Sequence, residues 1–314
     1  MSENTLQLLL DVRKARQQGP AAIKQRQRKR LAEMVAYARA NSPYYRELYK
    51  GLPERVEDPT LLPITDKKKL MAGFDDWVTD HEVTLKKVRP FVENRNLFGK
   101  EFLGKYLVIT TSGTTGTHGI FLIDKQSLSV IASLFLGKPR AWLDASDILR
   151  IIAGGGRIAA VLAAGTPTAT GVGISQFGPR LGKAFQAFSV HTPLPELTIE
   201  LNEFQPLVLT SYGTVAKLLT NEQEAGRLHI KPVIILPVAE GLPLDEYDRI
   251  AAIFGAKVGN IYAASECPFL AHSCEKMWLH VNADWVVVEP VDADYRPVLP
   301  GVQSHTVLIS NLAN

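Results

Sequence analysis

Cysteine is scarce in this chain: only Cys267 and Cys274 occur among 314 residues. Two thiols cannot build a disulfide framework, so the composition suits a reducing, cytoplasmic setting and excludes the disulfide-dense secreted scaffolds. No apolar run approaches the ~20 residues that a membrane-spanning helix needs. Leu6 to Leu10 is too short for the apolar core of a secretory leader, so none is expected. Net charge is only +3 at pH 7 and by itself says little about partners. Between Ile148 and Pro195 there is no Asp or Glu at all. Internal repeats and low-complexity segments are also missing.

What is present is enough apolar residue, 46%, to bury one large domain or two closely packed lobes. Charge is uneven: residues 1–50 carry eleven Lys/Arg against four Asp/Glu, with Lys24, Arg26, Arg28, Lys29 and Arg30 the densest part. Leu31, Met34, Val35 and Ala38 then repeat at helical spacing, so the basic run reads as a solvated helix face. Its functional alternative is a docking patch for an acidic carrier protein or a phosphorylated thiol cofactor. It is too short, and too poor in aromatic residues, to suit nucleic acid.

The chain is organised around Tyr106 to Phe121. An apolar, β-branched run enters this stretch and another leaves it, which predicts a hairpin with a glycine-bearing loop. Gly113, Gly116 and Gly119 let backbone N–H groups approach a ligand, and successive N–H groups make an anion-binding concavity. The hydroxyls of Thr110, Thr111, Ser112, Thr114, Thr115 and Thr117 add neutral donors for phosphate oxygens. No Gly-Lys-Ser/Thr closes the loop, so it is not a Walker loop.

Around it, Asn41-Ser42-Pro43 ends the basic helix, Pro53 to Pro63 is a connector, and Thr65 or Asp66 caps a short helix. Beyond it, Gln126 to Leu136 reads as a helix and Asp147 to Ala153 as a buried strand. Gly154-x-Gly156-x-x-Ala159 after such a strand matches a dinucleotide fingerprint. The missing acidic residue ~20 positions on removes the NAD version and leaves an NADP-dependent oxidoreductase as the rival class. Residues 161–180 read as a glycine-rich surface loop. Pro206 to Gly213, Lys231 to Pro237 and Lys257 to Tyr262 read as strands, with helices Val215 to Leu219 and Asp245 to Phe254 between them. Their ends present Tyr212, Glu240 and Glu266 at one rim, where open α/β sheets bind ligands. Cys267, His272, Cys274 and His280 have a loose zinc-like spacing, though buried thiols beside a core histidine fit better. His280 to Glu289 and Thr306 to Ser310 alternate as strands of a small antiparallel sheet.

Three of these stretches carry a family resemblance. Thr111-Ser112-Gly113-Thr114-Thr115-Gly116 resembles the nucleotide loop of the adenylate-forming superfamily, which activates carboxylic acids with ATP. Ile261-Tyr262-Ala263-Ala264-Ser265-Glu266 is similar to its aromatic-small-x-Ser/Thr-Glu element, and Val238-Ala239-Glu240-Gly241 to the turn that lies against adenine. Asn41-Ser42-Pro43-Tyr44-Tyr45 and Leu62-Pro63-Ile64-Thr65-Asp66-Lys67 narrow the match to the phenylacetate–CoA ligase-like branch, and Glu289 also fits it.

The resemblance implies an α/β fold: two stacked, helix-flanked sheets with a small β subdomain, the family's large N-terminal domain. It divides as an N-terminal helical arm (1–100), a nucleotide- and acid-binding core (101–280) and the β subdomain (281–314). It implies ATP and Mg²⁺, with Thr111, Ser112, Gly113, Thr114, Thr115 and Gly116 on the phosphates and Glu266 on the metal. Ala239, Glu240, Gly241, Tyr262, Ala263 and Ser265 would flank the nucleotide. Tyr212, Gly213, Ala263 and Gly155 would border the acid, an aromatic one by preference. Thr114, Glu266 and His118 are the expected catalytic residues. The thiol acceptor would be CoA or an acyl carrier protein, and a homodimer is compatible with the pattern. Two departures stand out. Where relatives often carry Pro-Lys after the loop, this chain has His118 and Gly119. The hinge aspartate and the mobile C-terminal domain with its lysine would come after Asn314, from a longer chain or a partner. Without them the chain could also serve as an ATP- or acyl-adenylate-binding module that does not turn over.

Overall fold

The computed structural model describes residues 3–111, 118–137, 141–163 and 167–313. The chain divides into two compact units, Met1–Leu97 with Glu101–Leu134 and Val281–Asn314, and Phe98–Lys100 with Phe135–His280. The N-terminal arm, the loop hairpin and the C-terminal strands thus share the first unit.

That unit begins with helices α1 (Glu3–Gln18) and α2 (Pro20–Asn41), joined through Gly19 at φ 81°. A left-handed φ is where glycine costs least, and Pro20 is pre-set for a first helical turn. Ser42 stops α2 and caps α3 (Pro43–Leu48) by accepting from the Tyr45 N–H. Of the two caps the sequence allows, Asp66 caps α4 (Lys67–Ala72) through Lys69 N–H, and α5 (Phe74–Trp77) and α6 (Leu85–Glu93) follow. The expected hairpin forms from β1 (Leu107–Thr110) and β2 (Ile120–Ile123), antiparallel, with Thr110 opposite Ile120. Val108 and Ile120 share a core with Phe74, Val78, Val83, Val88 and Phe102. Each such buried side chain contributes roughly 1.5–3 kcal/mol, which anchors both ends of the loop. Helix α7 (Lys125–Leu136) leaves the hairpin.

The second unit opens with α8 (Ala145–Ala153), where the sequence reading placed a buried strand. Asp144 and Asp147 explain the error. The Asp144 carboxylate accepts from the N–H groups of Ser146 and Asp147, and Asp147 reaches back to the Asp144 N–H, a reciprocal capping box. The apolar run is not buried either, since Leu149 and Ile152 are 66% and 67% exposed. The strands that follow are β3 (Ile158–Leu162), β4 (Phe185–Ser189), β5 (Val208–Tyr212), β6 (Ile234–Val238), β7 (Lys257–Val258), β8 (Ile261–Ala264), β9 (Cys267–Ser273) and β10 (Leu279–Val281). The region read as a loop at 161–180 instead holds the end of β3 and helix α9 (Ala169–Phe177), capped by Thr168. Its glycines hid the helix from a propensity argument. Helices α10 (Leu194–Phe204), α11 (Gly213–Glu224) and α12 (Leu244–Phe254) connect β4 to β7.

Strand order is β10-β9-β8-β6-β5-β3-β4, with β7 beside β6. From β4 to β8 neighbouring strands run parallel, and β9 turns back antiparallel on β8. Leu201, Leu209, Leu219, Leu228, Ile230, Ile235 and Ile250 are fully buried and form the core of this unit. The chain moves from β3 outward to β4, then crosses back to place β5 on the other side of β3. That reversal is a topological switch point, and crevices open there at the carboxyl ends of the strands.

The chain then returns to the first unit. Strands β11 (Val286–Val291) and β12 (Thr306–Asn311) pair antiparallel, and Val287 and Leu312 pack with Leu31, Val35 and Ala38 of α2. The alternation read from His280 to Glu289 is broken, because Trp285 and Val286 both bond back to the Asn282 carbonyl. The fold class is α/β as expected; among the described residues its sheets are the large mixed sheet and two two-stranded ribbons.

Candidate active site

Site residues fall into two clusters, one in each unit. In the second unit, register aligns the rim. Leu162 pairs with Ser189 in β4, Val161 with Ser211, Tyr212 with Val238, and Val238 with Ile261. Leu162, Tyr212, Val238 and Ile261 therefore lie on one line across four strands, spanning about 14 Å at ~4.8 Å per strand. The residues immediately beyond that line are Ala163, Gly213, Ala239 and Tyr262. Tyr212, Gly213, Ala239, Glu240, Gly241, Tyr262 and Ala263 thus come to the carboxyl edge together, as the sequence reading expects. Ser265 and Glu266 form the turn between β8 and β9 at the same edge.

Each rim element has a physical reason for its shape. Ala239 has φ 64°, a left-handed conformation that costs a non-glycine residue about 1–3 kcal/mol, and such strain concentrates at functional turns. Glu240 Oε2 accepts the Thr214 N–H at 2.7 Å, so its carboxylate sits on the N-terminus of α11. A Cβ on Gly213 would lie 3.1 Å from Leu242 and 3.3 Å from Glu240 Cβ, so the glycine admits the turn. At the switch point the Tyr212 hydroxyl accepts the Ala163 N–H at 3.4 Å. Tyr262 is half exposed and projects at the open edge. Behind the rim, Ser273 Oγ accepts from Trp142 Nε1 (3.1 Å) and from the Asn260 N–H (2.8 Å), fixing the bend before β8.

Gly155 does not join this cluster. It precedes β3, seven residues before Leu162, and so lies at the amino edge of the sheet, ~20 Å away at 3.3 Å per residue. There Arg157 closes the turn, its guanidinium donating to the carbonyls of Gly154 and Gln205. The dinucleotide fingerprint fails on the same ground. It requires strand, glycine turn, helix, whereas Gly154–Gly156 follow helix α8 and lead into strand β3.

In the first unit, Ser112, Gly113, Thr114, Thr115 and Gly116 lie outside the described residues. The two ends of the loop are described. Thr111 N–H donates to the Gly119 carbonyl at 3.0 Å, and Thr111 Oγ1 accepts the Gly119 N–H at 2.8 Å, so these two flanking residues are tied together. His118 Nδ1 is 3.2 Å from the Thr111 carbonyl. Lys67, at the start of α4, places Nζ 3.5 Å from Thr111 Oγ1. Sequence reasoning read Lys67 as a helix start and as part of the branch motif, and gave it no contact with the loop. Nothing in the local pattern shows that α4 folds back onto the loop.

The same geometry explains the departure at position 119. A Cβ there would lie 2.6 Å from the Phe121 ring and 2.9 Å from Lys67 Cδ. A side chain there would have to displace the Phe121 ring or the Lys67 stem, and the space is taken by that lysine from elsewhere in the chain. Among the described residues, no cluster of three His, Cys, Asp or Glu could hold a metal, so the Cys267/His272/Cys274/His280 set gives no zinc site. Cys267 is buried, and the His272 and His280 rings are 6.1 Å apart.

No family model matches the chain, and no curated protein does. Solved structures do match. One is 2-hydroxyisobutyryl-CoA ligase in complex with 2-HIB-AMP and CoA in the thioesterification state. It has a TM-score of 0.63 and 20% identity, over 94% of this chain and 61% of that one. The open conformation of the same ligase gives a TM-score of 0.61 and 19% identity, over 91% and 65%. The chain therefore has the α/β fold of the N-terminal part of adenylate-forming enzymes. It spans about three fifths of the length of the ligase structures it matches. Among the described residues no helix is long and apolar enough to cross a membrane.

Proposed function

We propose that this chain is the nucleotide- and acid-binding region of an ATP-dependent acid–thiol ligase of the phenylacetate–CoA ligase-like branch. The observation that supports this most is the rim: two separate motifs of the resemblance, at 238–241 and 261–266, align by strand register beside Tyr212. They do so on a fold matched over 94% of the chain by a ligase bound to an acyl-adenylate and CoA.

In this reading the loop from Thr111 to Gly116, with Thr114 at its centre, wraps the phosphates. Lys67 supplies the positive charge that the loop itself lacks, and exposed His118 stands at the loop's exit. Ala239, Gly241, Tyr262 and Ala263 flank the adenosine, and Tyr212 and Gly213 border the acid at the switch point. A carboxylate oxygen of the acid attacks the α-phosphorus, the bond to pyrophosphate breaks, and the acyl-adenylate then passes its acyl group to a thiol with loss of AMP. Protein groups contribute mainly position and charge stabilisation to such a transfer. Mg²⁺, when bound, neutralises phosphate charge. Glu266 fits it as one carboxylate on an exposed turn, since this ion takes one or two carboxylates and fills the rest of its shell with phosphate and water. An aromatic acid is the proposed substrate, and CoA or a carrier protein the proposed thiol.

A titration with Mg·ATP tests the reading. Lys67→Met removes a charge-assisted contact, and such contacts contribute about 1.5–3 kcal/mol, so the Kd should rise roughly 10- to 150-fold. The loss should shrink as salt is raised, whereas Glu266→Gln should remove the Mg²⁺-dependent part of binding. Equal affinity in wild type and Lys67→Met, or binding of NADPH in place of ATP, refutes the assignment.

A further inference from the structure

Glu240 is conspicuous because its exposed carboxylate bonds to a neighbouring element of the rim, the first turn of α11. Helix α11 begins directly after strand β5 with no connecting loop, and Tyr212 at its N-cap position makes no side-chain cap. The first-turn N–H groups of α11 are therefore open to an acceptor from another element or from water. Glu240 provides it from the neighbouring β6 turn, with Oε2 2.7 Å from Thr214 N, where the helix dipole favours a negative charge. Two further features make this contact structural for the turn. Ala239, the residue before Glu240, is held at φ 64°, which an alanine leaves readily unless its neighbours are fixed. Leu242 and Glu240 Cβ also pack closely over Gly213, 3.1 and 3.3 Å from where a Cβ would stand, so a larger residue there would press on the turn.

We infer that Glu240 is a positioning residue: its carboxylate latches the Ala239–Gly241 turn to the N-terminus of α11, and so ties the adenine-flanking turn to the acid-bordering end of β5. The inference rests on the proposed function for the identity of the ligand, and it replaces a direct nucleotide contact by Glu240 with an indirect one. The latch needs an acceptor oxygen of the right length and not specifically a charge. Glutamine keeps that acceptor and alanine removes it, so the pair separates a latch from a charged ligand contact.

The test has two readouts on the whole chain. Amide exchange at Thr214 and across 239–242 should quicken at least tenfold in Glu240→Ala and stay within about twofold of wild type in Glu240→Gln. Mg·ATP affinity should fall about tenfold in Glu240→Ala and about two- to threefold in Glu240→Gln. Adding Ala239→Gly to Glu240→Ala should recover part of the affinity, because glycine holds the left-handed φ without help. Two results overturn the inference: a Glu240→Gln loss as large as that of Glu240→Ala, which marks a charged contact with ligand, or unchanged Thr214 exchange in Glu240→Ala. If wild type binds no adenine nucleotide, the proposed function fails, while the exchange data still decide whether the latch exists.

Discussion

Gly119→Ala tests the loop geometry with the smallest available change. The added methyl would stand 2.6 Å from Phe121 Cε2, 3.1 Å from Phe121 Cζ and 2.9 Å from Lys67 Cδ. The lysine stem can swing, but the ring cannot do so freely. Phe121 is buried and meets Trp77 edge-on at 5.9 Å; Trp77 in turn packs on Phe74 at 5.8 Å and donates to the Tyr45 hydroxyl at 3.2 Å. Forcing one methyl into such packing costs about 1–3 kcal/mol. At roughly 2–4 °C per kcal/mol for a chain of this size, thermal denaturation should show Tm lowered by about 2–12 °C. Displacing the Lys67 stem should also carry its ammonium away from Thr111 and weaken Mg·ATP binding. The double variant Gly119→Ala, Phe121→Leu should lose less stability than the two single losses added, since the smaller side chain vacates the space the methyl needs. A Gly119→Ala protein that melts and binds like wild type would show that the Phe121 ring and the Lys67 stem do not enclose position 119, and the account of the missing loop lysine would fall with it.

Two other substitutions probe the scaffold of the first unit. Ser42 is fully buried; its Oγ accepts the Tyr45 N–H at 3.2 Å and donates to the Asp76 carbonyl at 2.9 Å. Ser42→Ala removes a cap and leaves a carbonyl unsatisfied, so the urea midpoint should fall by the equivalent of about 1–3 kcal/mol at unchanged slope. The Glu289 carboxyl is pushed above its ordinary range, first by burial and then by the charge of Asp58. A carboxyl raised in the folded state favours folding when protonated. That contribution is complete below the unfolded value near 4.3 and is lost as pH rises through the folded value. Glu289→Gln should therefore match wild type at pH 3.5 and exceed it in stability at pH 7, as read by denaturation at both. A variant less stable than wild type at pH 7 would contradict this sign.

Sequence carried far where chemistry is local. The hairpin around the loop, the Asp66 cap, the helix after β6 and the carboxylate turn at Glu266 all follow from patterns a few residues long. It failed where a short apolar run had two solutions. Ile148 to Ile152 has a strand's composition, and only the reciprocal bonds between Asp144 and Asp147 make it a helix. The signal for that was present as two aspartates three apart, the spacing of a capping box. Gly155, placed beside the acid by the resemblance alone, stands at the amino end of β3 instead. The glycine-rich α9 was missed because composition argued for a loop while the Thr168 cap and its place after β3 decided otherwise.

Residues whose role depends on the fold were beyond local reading. Lys67 and Thr111 are 44 positions apart, and Glu240 and Thr214 are 26 apart. In both cases one element's deficit is met by another. The loop exit has Gly119 where relatives often carry lysine, and Lys67 fills the space beside that glycine and brings its ammonium to Thr111. Helix α11 has no cap because β5 runs straight into it, and the adjacent β6 turn carries the carboxylate. A deficit of this kind is visible in sequence as a departure from pattern, here Gly119 where lysine is usual and Tyr212 where a capping residue is usual. Its compensation is visible only in space. The departure at position 119 therefore does not count against phosphate binding by this loop; the Lys67→Met titration is where that argument stands or fails.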